Sequence, residues 1–154
     1  MNKPSDLVRW GILVTVMILV DQGTKWMARR FLVQRAVMAG PAGLVLTMNK
    51  GVAFGLFGGW QWVVPVNAVL GIGVCVAAVA ALYRGDRGLA HGFFLVFAGF
   101  AGNFIDRVVA AGQVTDFLWV RGWAVFNVAD CLVTTGAILC GLALLFPNRW
   151  GFHA

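Results

Sequence analysis

The chain contains no glutamate, a single serine and two histidines, so the usual parts of a hydrolytic or metal site are scarce. Ser5 stands near the N-terminus, and a Cys–His pair would need His91 or His153, both on the side of the chain termini in the layout below. Three cysteines, Cys75, Cys131 and Cys140, lie inside apolar sequence, where Cys behaves as a small hydrophobe. They define no disulfide framework, and with two isolated histidines they show no zinc-ligand spacing. No metal and no cofactor is expected, with a hard cation on carboxylates left open. What acid the chain has is aspartate alone, at six positions.

Charge is scarce as well. Charged residues make up 12% of the sequence and hydrophobic ones 60%, and the mean hydropathy of +0.84 is far from that of a water-soluble domain. This composition is that of an integral membrane protein. The formal charge of +6 could suggest a nucleic-acid partner, but the basic residues are scattered at the ends of apolar runs and form no single patch.

Apolar runs of about 20 residues predict four transmembrane helices, at residues 10–28, 62–82, 89–109 and 125–146. The predicted fold is an all-α membrane protein, one domain over 1–154. The first run is no cleaved secretory signal, because Asp21-Gln22-Gly23-Thr24-Lys25 follows where a small-residue cleavage site would stand. Arg84-Gly85-Asp86-Arg87-Gly88 reads as a tight turn on the side of the termini. The opposite side holds more chain, residues 31–61 and 110–124. There Leu44 to Thr47 and Val114 to Val120 are rich in β-branched and aromatic residues, which predicts a small sheet on the membrane surface.

Trp26, Trp60, Trp62, Trp119 and Trp123 fall on that loop side and Trp10 and Trp150 on the other, as aromatic belts would. Basic residues divide five to seven in favour of the loop side, and setting aside Lys25, Lys50 and Arg107 as site residues makes that five to four. The positive-inside rule therefore leaves orientation undecided.

The strongly polar clusters fall at one end of their helices. Asp21 and Lys25 close the first span, Asn103, Asp106 and Arg107 close the third, and Asn127 and Asp130 open the fourth. Spacings of three and four put each cluster on a shared helix face. Asp21 with Lys25, and Asp106 with a basic neighbour, read first as buried ion pairs that position helices. Asp116 and Asp130 differ, because neither has a cation at helical spacing. A carboxylate at membrane depth costs several kcal/mol unless it is paired, neutralised or wetted, which marks it as functional. Two carboxyls forced together split their proton affinities into one base and one acid, an arrangement that activates water. Asn49, ahead of the glycine-punctuated run from Gly51, offers a side-chain amide to a substrate. The rival reading is a small proton- or cation-coupled transporter carrying protons on the same aspartates. That reading predicts polar residues through the full depth of the bilayer, whereas the terminal-side halves of the spans are nearly free of them.

Five collinear motifs, Asp21-Gln22-Gly23-Thr24-Lys25, Asn49-Lys50-Gly51-Val52-Ala53-Phe54, Gly102-Asn103-Phe104-Ile105-Asp106-Arg107, Val114-Thr115-Asp116-Phe117 and Phe126-Asn127-Val128-Ala129-Asp130, resemble the bacterial lipoprotein signal peptidases, or signal peptidase II family. The resemblance runs through the whole chain. It implies four transmembrane helices with a small β-sheet subdomain on the outer leaflet of the cytoplasmic membrane, and termini in the cytoplasm. It also implies intramembrane aspartic cleavage of lipid-modified prolipoproteins before the diacylglyceryl-cysteine, as a monomer sensitive to globomycin. Asp116 and Asp130 would be the catalytic dyad, with Asp21, Lys25, Asn49, Gly99, Asn103, Asp106, Arg107 and Asn127 lining or bracing it. Ala98-Gly99 departs from the paired glycines frequent in the family, and Met48 and Lys50 flank Asn49 where other residues are commoner.

Overall fold

The computed structural model describes residues 3–50 and 60–146, with backbone alone at residues 3 and 60–63. Helix α1 (Lys3–Phe31) leads into strands β1 (Val37–Ala39) and β2 (Ala42–Asn49). Helices α2 (Trp60–Arg84) and α3 (Arg87–Val109), strand β3 (Val114–Val120) and helix α4 (Val128–Leu145) follow. All four helices are long and apolar enough to cross a membrane. The shortest, α4, has 18 residues and at 1.5 Å per residue spans about 27 Å.

Half of the apolar stretch of α3 is buried within the protein, against 11% for α1 and 17% each for α2 and α4, so α3 is the axis around which the others pack. The inward face of α1 carries Val14, Asp21, Lys25 and Ala28, at spacings of seven, four and three that keep one side of a helix, and Leu32 just past its end continues that side. Its outward face carries Val8, Ile12, Leu19 and Met27, all exposed as lipid-facing residues are. Towards the termini the core is built of small side chains, Ala78, Ala81, Ala90 and Ala98, with Val14, Leu82 and Phe94. Small residues let helices approach where lipid tails give no hydrophobic drive to associate. Trp10 stacks on Phe94 at 4.9 Å.

The helix ends depart from the apolar runs. Residues 3–9 continue α1 outward, with Arg9 and Asp6 paired at 3.8 Å across one turn. At its far end α1 extends to Phe31, three residues past the apolar run, with Lys25 and Arg29 turned into the protein. Helix α3 begins at Arg87, where the Asp86 side chain accepts from the Leu89 N–H. Helix α4 begins at Val128, three residues inside the apolar run. Phe126 is held by β3, accepting from the Phe117 and Leu118 N–H groups and donating to the Leu118 carbonyl.

The sheet is antiparallel in the order β1-β2-β3. Strand β1, absent from the sequence prediction, pairs with β2 through a hairpin at Gly40 and Pro41, where Gly40 takes a positive φ of 63° that glycine adopts freely. Along β2 and β3, Thr47 lies opposite Asp116 and Asn49 opposite Val114, so Asn49 is the diagonal neighbour of Asp116. A turn through Gly122 (φ 80°) brings the chain back along β3 and delivers Asn127 to the start of α4. Trp26 and Trp123 are exposed on this side of the molecule, while the side chains of Trp60, Trp62 and Trp150 lie outside the described residues.

Candidate active site

The predicted polar clusters converge, and they do so in two layers. The inner layer is ionic. Lys25 is fully buried and reaches Asp21 at 2.8 Å and Asp106 at 3.7 Å, both also buried. Asp21 also accepts the Ala129 N–H at 2.9 Å, which ties α1 to the first turn of α4. Gln22 donates to Asp21 and to the Gly102 carbonyl, closing the layer against α3. Asp106 accepts the Thr115 N–H at 2.8 Å, anchoring β3, and Arg29 bridges Asp106 (3.6 Å) and the Thr115 hydroxyl (2.8 Å). Two aspartates are thus balanced by two cations. That balance matters, since an unpaired charge at this depth is strongly destabilising.

The outer layer is built on amides. Asp116 accepts from the Asn127 Nδ2 at 2.6 Å and from the Asn49 Nδ2 at 3.0 Å. Asp130 accepts from the Asn103 Nδ2 at 2.9 Å and from the Asn127 backbone N–H at 3.1 Å. Asn127 caps α4, its Oδ1 taking the Asp130 N–H while Asp130 answers at the Asn127 N–H, the reciprocal arrangement of a capping box. One residue therefore holds both carboxyls. Its cap geometry fixes Asp130 and its free amide nitrogen fixes Asp116.

Lys25 joins the layers. It donates to the Asn103 Oδ1 at 2.9 Å. An ammonium has no acceptor, so this bond settles which end of the Asn103 amide faces it and turns the Nδ2 donor onto Asp130. Asn127 Nδ2 lies 3.2 Å from the same Asn103 oxygen. Arg107 sits within electrostatic reach of Asp130, Asp116 and Asp106, and its Nη1 reaches the Asn103 carbonyl at 3.4 Å. Its Nε is buried with no hydrogen-bond partner among the described residues.

Glycines allow this crowding. A Cβ at Gly102 would lie 2.6 Å from the Asp21 carboxylate, and one at Gly99 would press on the Ala129 carbonyl. Gly99 therefore permits the close approach of α4 to α3. Asn103 and Asp106, read from sequence as one cluster, divide: Asn103 turns to Asp130 and Asp106 to Arg29 and the Thr115 backbone. Arg29 was missed as a site residue. Its signal was present, since residues 21, 25 and 29 follow at intervals of four on one helix face. Of the Asn49 motif, Gly51, Val52, Ala53 and Phe54 lie outside the described residues.

Asp116 is 3% exposed and Asp130 is half-buried, so the pair is reached from the Asp130 side. Burial raises the proton affinity of Asp116 above that of an ordinary aspartate. The Asn49 and Asn127 bonds oppose the rise, and the nearby Asp130 charge adds to it. Cys131, next in sequence to Asp130, turns outward and is exposed. Among the described residues no three His, Cys, Asp or Glu side chains gather as a metal ligand set.

Fold and site together define a multi-pass membrane protein with a carboxylate centre at one end of its helices, and solved structures share its architecture. A bacterial membrane enzyme determined by the in meso method at 2.3 Å resolution matches with a TM-score of 0.76 at 25% identity, over 95% of this chain and 93% of its own. A second, at 1.9 Å, gives 0.75 at 26% identity, over 89% and 92%. In sequence the chain is 39% identical to the lipoprotein signal peptidase of Cupriavidus necator, over 84% of this chain and 79% of the relative. It is 37% identical to that of Pelotomaculum thermopropionicum, over 87% and 90%. The profile of the family described as Signal peptidase (SPase) II matches residues 13–146. The chain belongs to the signal peptidase II family and is a membrane-spanning peptidase. The transporter reading is set aside on this ground.

Proposed function

We propose that residues 1–154 act as one intramembrane aspartic endopeptidase domain that removes signal peptides from prolipoproteins, cleaving before the diacylglyceryl-modified cysteine. The observation that carries this reading is the clamp of Asn127 on both carboxyls, which holds Asp116 and Asp130 as one unit, while among the described residues Lys25 and Arg29 pair with Asp21 and Asp106 and Arg107 is within electrostatic reach of the pair. A pair sharing one proton bears one negative charge, and Arg107 balances it. The ionised aspartate takes a proton from a water between the carboxyls, and the protonated one polarises the scissile carbonyl and then protonates the leaving amine. The proton belongs to the pair, because closely coupled carboxyls titrate together. No covalent intermediate is formed. Asn49 and Arg107 hold the substrate backbone, and the lipid chains of the substrate lie in the bilayer beside the helices.

Setting aside Lys25, Arg29 and Arg107, which the protein holds at its centre, leaves four basic residues on the loop side against five on the terminal side. That margin of one does not set the orientation by charge, and cytoplasmic termini with a site near the outer leaflet of the bacterial cytoplasmic membrane follow from the family resemblance. The enzyme works as a monomer without a cofactor, and globomycin-type cyclic peptides inhibit it. The test is cleavage of a diacylglyceryl-modified prolipoprotein by purified protein in detergent, beside folded Asp116→Asn and Asp130→Asn variants. Cleavage by the parent alone is expected. Cleavage by either variant removes the dyad assignment, and loss of activity to a chelator removes the metal-free mechanism.

A further inference from the structure

Away from the dyad, the end of α1 carries a groove and a basic hollow that share a wall. Adjacent strand residues point to opposite faces, so Phe117 turns towards α1 while Asp116 turns to its amides. Phe117, Met27, Ala28, Phe31 and Leu44 line a groove of about 180 Å³ in which Thr24 is the only polar residue. Phe31 also lines a second concavity of about 350 Å³ with Arg30, Val33, Gln34 and Arg35. That hollow contains no acid. Arg30 and Arg35 are both exposed, and among the described residues neither has an ion-pair partner. The Arg35 N–H bonds back to the Leu32 carbonyl at 3.3 Å, which folds the segment over the helix end.

The depth of the two features matches a lipid. The candidate span of α1 ends at Phe31, so the groove flanks the last turn of that span and Arg30 and Arg35 stand at its end and just beyond it, where basic residues meet headgroups. Arg30 also complements the negative end of the α1 dipole, but Arg35 lies beyond the helix and has no such role. We infer that this surface binds an anionic phospholipid, one acyl chain in the groove against Phe117 and Leu44 and the headgroup phosphate between Arg30 and Arg35. Two arginines near a membrane surface select anionic over zwitterionic headgroups, and the groove selects a lipid over a free phosphate. The site stands on the far face of β3 from the dyad and does not depend on the proposed cleavage.

The experiment uses delipidated, purified protein in detergent. Native mass spectrometry and thermal unfolding are followed with phosphatidylglycerol, with phosphatidylcholine of the same chains, and with glycerol 3-phosphate. The expected result is one retained phosphatidylglycerol and a raised Tm, a weaker response to phosphatidylcholine and none to glycerol 3-phosphate. Replacing both exposed arginines, Arg30→Ala with Arg35→Ala, should weaken phosphatidylglycerol binding by about thirtyfold and abolish the preference between the lipids. Leu44→Trp, which fills the groove, should weaken both lipids alike. Equal binding of the two lipids by the parent, unchanged phosphatidylglycerol binding in the double arginine variant, or an equal response to glycerol 3-phosphate overturns the inference. If Leu44→Trp does not fold, the arginine variant decides alone.

Discussion

Asp21 and Asp116 are both buried, yet they meet opposite company. Asp21 lies against a fully buried ammonium at 2.8 Å and a backbone N–H, and Asp106 beside it has Lys25 and Arg29. Among the described residues the Asp116 carboxylate accepts from the neutral amides of Asn49 and Asn127, and Asp130 from the Asn103 amide and a backbone N–H. A cation nearby fixes a carboxylate in its ionised form, whereas an amide orients it and leaves its proton free to come and go. The inner layer therefore has the properties of a fastener, and the outer layer is the one to which the proposed function gives the chemistry. Both are made from the same residue type.

Exchanging aspartate for asparagine in each layer gives the largest contrast. Asp116→Asn and Asp130→Asn should lower cleavage of a lipid-modified prolipoprotein by at least about a hundredfold, the scale of positioned acid–base catalysis, with thermal unfolding little changed. Asp21→Asn should do the reverse. It leaves Lys25 short of its closest partner, and unfolding measured in detergent should show a loss of about 3 kcal/mol or more, as for a broken buried pair. Stable Asp21→Asn protein without activity would exchange the two roles.

Asn127 holds both carboxyls of the outer layer, and two substitutions separate its parts. Asn127→Asp keeps an oxygen to cap α4 but loses the donor to Asp116 and places a third carboxylate beside the dyad. Activity should fall about tenfold or more while helix stability is retained. Asn127→Ala should in addition lower stability by about 1 kcal/mol, the usual cost of a lost cap. Equal activity in the Asn127→Asp variant and the parent would show that the clamp on Asp116 is not needed.

The smallest effect is in the pH profile. Burial lifts the proton affinity of Asp116, so Asp116 keeps a proton at a pH where an exposed aspartate has already lost it. Activity that needs one proton on the pair then declines as pH rises through that lifted value. The Asn49 bond favours the carboxylate, so Asn49→Ala removes a restraint on the rise and should move the alkaline limb of kcat to higher pH. A shift to lower pH contradicts the assigned direction.

Much of this contrast was visible in the sequence. Four apolar runs gave the helices, and the spacing of Asp21 with Lys25 marked an ion pair. The absence of any cation at helical distance from Asp116 or Asp130 separated those two from the other acids. Less visible were features that depend on tertiary approach. Arg29 looked like membrane-flanking charge because basic residues gather at helix ends, and only the fold shows Asp106 and Thr115 within its reach. Strand β1 is three exposed residues long and has no run of alternating hydrophobicity to announce it. Asn103 and Asp106 seemed one cluster, but three residues of helix rotate them enough for one to face α4 and the other β3.

The central claim is that Asp116 and Asp130 hold one proton between them. Infrared difference spectroscopy of the purified protein, taken above the pH at which an exposed aspartate ionises, reads protonated carboxyl groups directly. The account predicts a protonated-carboxyl signal that is lost in both Asp116→Asn and Asp130→Asn and retained in Asp21→Asn. Absence of that signal in the parent, or its survival unchanged in both dyad variants, would contradict it.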